Sequence, residues 1–92
     1  MKFEWDVNKN SGNISKHGID FRSAVKVFND PNFILSEDNS QEYDEVRYQI
    51  IGVVDPYGVL LVVYTERHED VIRLISARKA TSHEKRIYRQ FI

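Results

Sequence analysis

Ninety-two residues, 41% of them hydrophobic and 29% charged, suffice for one small core and not for two, so residues 1–92 are expected to form a single domain. The absence of cysteine excludes disulfides, thiol nucleophiles and thiolate metal sites, and His17, His68 and His83 stand at no zinc-binding spacing, so neither a metal nor another cofactor is expected. No apolar run approaches a membrane span or a signal-peptide core, which gives a cytoplasmic expectation with no membrane contact.

In chain order, "KFEW" reads as a short strand, and Asp6 is placed to cap a helix that Gly18 stops after "KH". Asp20 caps a second helix, "FRSAVKVFN", with Phe21, Ala24, Val25 and Phe28 predicted on its inner face and Pro31 beyond its end. "NFILS" suggests a strand, and "EDNSQEYDE" an acidic, polar loop. The strongest strand signals, "VRYQIIGVVD" and "VLLVVYTER", flank "DPYG", whose Asp, Pro and Gly positions favour a type I turn in a hairpin. A third strand, "VIRLISAR", follows the polar turn "HED". In "TSHE", Thr81 and Glu84 form a capping-box pattern for a last helix. That helix carries Glu84, Ile87, Tyr88 and Phe91 along one side, with Lys85, Arg86 and Arg89 on the other. The order predicts an α+β fold: two N-terminal helices and a C-terminal one, packed on one side of a twisted antiparallel sheet.

The net charge of -1 hides an asymmetry. Residues 1–45 hold five Lys/Arg against nine Asp/Glu, whereas residues 46–92 hold eight against five. A three-residue loop with a left-handed Gly58 would set Arg47 opposite Arg67 on one sheet face, and a three-residue "HED" turn would add Arg73. Arg78 has the opposite parity and needs a bulge, or its place at the strand end, to join them.

This set suits metal-free cleavage of RNA. The reaction needs a base for the 2'-hydroxyl, fixed cations for the phosphorane and an acid for the leaving oxygen. Arginine binds phosphate bidentately and stays charged at any working pH. Arg67 and Arg78 are the candidates for transition-state charge; Arg47, Arg73 and Lys79 are candidates for holding the RNA strand. Glu45, His17 and Tyr88 are candidates for moving protons. Each has a plainer reading: a salt bridge for Glu45, a helix C-terminal cap for His17 and core packing for Tyr88.

The motifs "FEWD", "NISKHGIDF", "AVKVFND", "EVR", "VVYTER" and "IRLISARKAT", with "ExxxY" at 84 to 88, span nearly the whole chain and resemble the BrnT toxins of BrnT/BrnA type II toxin-antitoxin modules. The resemblance implies a RelE-like fold, an endoribonuclease that halts translation, and neutralisation by a BrnA-like ribbon-helix-helix antitoxin. It also implies a heterotetramer, with operator DNA bound only through the antitoxin. The polar positions it carries over are Lys16, which it adds to the RNA-binding candidates, and His17, Glu45, Arg47, Arg67, Arg73, Arg78 and Tyr88. The alternative is a non-catalytic corepressor that only binds the antitoxin. The acidic segment 37–45 is the departure to explain, since an enzyme acting on a polyanion gains from a basic surface.

Overall fold

A computed structural model describes all residues, Met1–Ile92. The elements are β1 (Lys2–Glu4), α1 (Val7–His17), α2 (Phe21–Ala24) running into a 3-10 helix (Val25–Asn29), β2 (Ile34–Glu37), β3 (Arg47–Val54), β4 (Gly58–Glu66), β5 (Val71–Lys79) and α3 (Ser82–Arg89). They build one five-stranded sheet in the order β1-β5-β4-β3-β2. Strands β2 to β5 form the antiparallel meander read from the sequence. The sheet is nevertheless mixed, because β1 pairs parallel with β5. A three-residue strand carries too little pattern to announce its partner.

Local signals act as expected at the helix ends. The Asp6 carboxylate accepts from the Asn8 and Lys9 amides, and Gly18 ends α1 in the left-handed conformation at φ 72°. Asp20 caps α2 through the Arg22 amide, and Thr81 and Glu84 form a complete capping box at α3. The second helix departs in its winding. Beyond Ala24 it tightens to three residues per turn, so Phe21, Ala24 and Val27 fall in one line and are fully buried, while Val25 and Phe28 are only partly covered.

The helices do not share one side of the sheet. Alternation along the strands sends Ile50, Leu60, Val62 and Leu74 against Ile19, Phe21, Ala24 and Val27 of the α1/α2 layer. It sends Ile51 and Leu61 to the opposite face, where Tyr88 of α3 covers them. Asn13 of α1 locks the first layer to an edge of β5 that no strand pairs. Its amide donates to the Ala77 carbonyl (2.9 Å) and accepts from the Ala77 amide (3.0 Å), as a paired strand would, and it also donates to the Ile19 carbonyl.

Two turns set the register. Between β3 and β4, Val54 pairs with Gly58 (φ 86°) around Asp55–Tyr57, and the Asp55–Pro56 peptide is cis with Pro56 third in the turn, which makes it type VI rather than type I. Arg47 therefore sits opposite Thr65, not Arg67. The shift is by two residues, so every side chain keeps its face. The "HED" turn has the three-residue length expected, with the Arg67 amide donating to the Val71 carbonyl. Further along, Tyr64 pairs with Leu74 but Val63 pairs with Ser76. Ile75 is thus an extra residue in β5, a bulge that resets the alternation.

Candidate active site

Pairing places a polar row across one end of the sheet, on the face that carries α3. Glu4 of β1 lies beside Arg73 of β5, Arg73 beside Thr65 of β4, and Thr65 beside Arg47 of β3. Two strand spacings separate the two arginine backbones, roughly 10 Å. Thr65 between them spares the sheet the directly opposed like charges that its sequence seemed to require.

Carboxylates already attend these cations. Glu45 lies 3.4 Å from Arg47 Nε and 3.8 Å from an Arg67 terminal nitrogen, bridging the two. Arg73 donates to Glu4 at 2.7 Å. Such partly exposed pairs contribute about 0–1 kcal/mol each, so a phosphate can replace the carboxylates at little cost. Arg47 is further held under the Tyr43 ring, its guanidinium carbon 4.0 Å from the ring centre. The segment bearing Glu45 and Tyr43 is fastened at both ends. Asp38 accepts from the Ser40 amide and hydroxyl, and its amide donates to the Arg47 carbonyl; at the other end Thr65 Oγ1 donates to the Val46 carbonyl at 2.7 Å. The Ser40 hydroxyl is the main cause that holds the Asp38 carboxyl below its usual range.

Arg78 reaches the same face because of the Ile75 bulge, which pairs it with Leu61. It lies about 13 Å along the strands from the Arg47–Thr65–Arg73 row, four residues of β4 away. Its commitment differs in kind. Both terminal nitrogens donate to Glu84, at 2.8 and 2.9 Å, and the same carboxylate accepts the Thr81 amide. These bonds, Arg78's foremost, lower the Glu84 pKa to about 2 and raise that of Arg78. Between the row and α3, Gln49, Val63 and Ser76 form a partly exposed strip.

Tyr88 does not border that strip. It is buried beneath α3, and its hydroxyl donates to Asp30 at 2.5 Å around the β3 edge of the sheet. Burial, with the Asp30 carboxylate adding to it, pushes the phenol up to about 12. Asp30 also accepts the Val53 amide, and despite its burial these bonds hold it in the ionised form. The other candidates lie elsewhere. Asn13 meets β5 at Ala77, so Lys16 and half-buried His17, farther along α1, lie toward the Lys79 end of β5. Lys79 is exposed there. Thus Arg47, Arg67 and Glu45 come together, Arg73 shares their row with Glu4 as its partner, Arg78 shares their face at a distance, and Lys16, His17, Lys79 and Tyr88 stand outside the row.

Comparison with known proteins gives this geometry a context. The family model described as "Ribonuclease toxin, BrnT, of type II toxin-antitoxin system" matches residues 5–84. The chain belongs to the BrnT family. Among solved structures, the crystal structure of the Brucella abortus ribonuclease toxin BrnT is similar at 25% identity and a TM-score of 0.67, over 89% of this chain and 99% of that one. No curated protein matches the chain. Family membership makes ribonuclease toxin the class and a protein antitoxin the partner. No helix is long and apolar enough to cross a membrane.

Within this BrnT fold, several residues that shape the site gave no sequence signal. Glu4 lies in a strand that the sequence shows but whose partner it does not, and its contact with Arg73 joins residues 69 positions apart. Thr65 acts through a contact that forms only once the β3 and β4 strands align, and Tyr43 through the fold of the loop that brings its ring to Arg47. Asp30 had a faint signal, an acidic residue just before a helix-ending proline.

Proposed function

We propose that the chain is a metal-independent, RelE-like endoribonuclease of the cytoplasm that cuts RNA through attack by the 2'-hydroxyl and so stops translation. In this reading a BrnA-like ribbon-helix-helix antitoxin neutralises it within a heterotetramer and carries the assembly to operator DNA. The observation that supports the reading best is the meeting of Arg47 and Arg67 at Glu45, with Arg73 and its partner Glu4 on the same sheet face, in a chain of a ribonuclease family.

An RNA strand lying along the row displaces Glu45 and Glu4 from their arginines. Arg47 and Arg73 then hold phosphates, and Arg67 faces the charge that develops on the phosphorane. Glu45, released but still adjacent, takes the 2'-hydroxyl proton; it is the proposed proton carrier that touches the arginines. The 2'-oxygen forms a bond to phosphorus, the bond from phosphorus to the 5'-oxygen breaks with that oxygen taking a proton from solvent water, and a 2',3'-cyclic phosphate remains. Arg78, bound twice by Glu84, sets the far end of the strip and the position of α3.

The test is digestion of a defined RNA by purified chain in the presence of a chelator. Fragments ending in cyclic phosphate are expected, and R47A and R67A should each lose roughly 10²- to 10³-fold in rate while keeping their fold. An R47A/R67A double variant that cuts as fast as the parent would overturn the site. An inert parent that still binds antitoxin would point to the non-catalytic corepressor instead.

A further inference from the structure

The face opposite the arginine row carries a second feature at the same end of the sheet. Just past the α2 and 3-10 helix layer lies an open groove of about 260 Å³, with Phe28, Tyr64 and Ile72 as its floor and Met1, Phe33 and Leu35 along its sides. Tyr64 and Ile72 alternate with Thr65 and Arg73, so the groove backs directly onto the row through one thickness of sheet. Phe33 and Leu35 are 40% and 49% exposed, which leaves two large apolar side chains side by side in water. Beside them β2 is an edge strand with no partner on its outer side.

Its composition decides what fits. The charged side chains lining the groove, Glu66 and Asp70, are both acidic; Asp70 already holds the Met1 ammonium at 3.1 Å. Acid around an apolar, aromatic floor repels nucleic acid. It matches the apolar core of a protein interface, where aromatic residues and methionine gather. Family membership requires the chain to bind an antitoxin protein somewhere. We infer that this groove anchors the antitoxin, through an apolar segment whose large side chains fill the space between Phe33, Leu35 and Tyr64 and whose flanking lysines or arginines face Glu66.

The inference rests on the family's having a protein partner and not on the cleavage mechanism, so the two can fail separately. Antitoxin from the same module, purified with the chain and then separated, is titrated against the parent, F33S/L35S, E66K and R47A/R67A. Thermal unfolding checks that each variant is folded. F33S/L35S should bind roughly tenfold or more weakly. E66K should bind several-fold more weakly, with the difference from the parent shrinking as salt rises. Both should cut RNA at the parental rate if the parent cuts, and in cells F33S/L35S should resist neutralisation. The inference is overturned if both groove variants bind antitoxin like the parent, and doubly so if only R47A/R67A loses affinity, which would place the partner on the arginine face. Absence of RNA cleavage by the parent leaves these binding results intact and counts only against the nuclease reading.

Discussion

Tyr88 shows how much one hydroxyl can commit. Its ring fills the space over Ile51 and Leu61, and its O–H passes the β3 edge to reach Asp30, which ties the two faces of the sheet together. Y88F keeps the packing and leaves a charged acceptor with one partner fewer, so a loss of about 1.5–3 kcal/mol in stability by urea denaturation is expected. RNA cleavage by the folded fraction should stay near parental. A collapse of cleavage with unchanged stability would restore Tyr88 to the chemistry. Sequence alone could place this residue on the inner side of the last helix. It could not place Asp30, because the contact joins residues 58 positions apart and depends on which face α3 takes.

Elements were legible where the physics is local. The caps at Asp6, Asp20 and Thr81, the stop at Gly18 and the three-residue "HED" turn all follow from neighbours in sequence. Side and register were not, because they depend on distant strands. The bulge at Ile75 is decided by which β4 residues β5 meets, and nothing within "IRLISAR" marks it. Gly52 has an element-level role of the same kind. A Cβ there would lie 2.9 Å from Val27 Cγ2 and 3.2 Å from Asp30 Oδ2, so glycine is what lets the 3-10 helix settle on β3. G52A should cost about 1–3 kcal/mol in denaturant unfolding; a neutral result would mean that the helix yields. The seat of α3 has a pH signature. Glu84 sits at about 2 in the fold against 4.5 for a free glutamate, so its contribution is complete above pH 4.5 and is lost as pH falls toward 2, where the unfolded chain takes up the proton first. Acid titration of stability should show about 1–2 kcal/mol of this loss in the parent, discounted for partial exposure, and little of it in E84Q. Equal slopes would remove the ion pair from the account.

At the scale of the molecule, charge is segregated more than it is abundant. Net charge is -1, yet the arginines of the row, with Glu4 and Glu45 between them, all lie on one face, while the charged side chains bordering the groove on the other are both acidic. Binding of an uncleavable RNA should therefore be only mildly salt-sensitive, with a log–log slope of about -2 for three phosphate contacts. A slope of about -4 or steeper would show that Lys85, Arg86 and Arg89 on the outer side of α3 also engage the strand. The acidic loop that looked like an obstacle in the sequence has a definite place, with its carboxylate resting between Arg47 and Arg67. One further consequence comes from how α3 is fastened, at its start by Glu84 to β5 and at its end by Tyr88 to Asp30. A rail bolted at both ends cannot swing aside, so the far wall of the strip is held where it stands. Loosening that wall would take the loss of both ties, since either one alone still anchors an end of the helix.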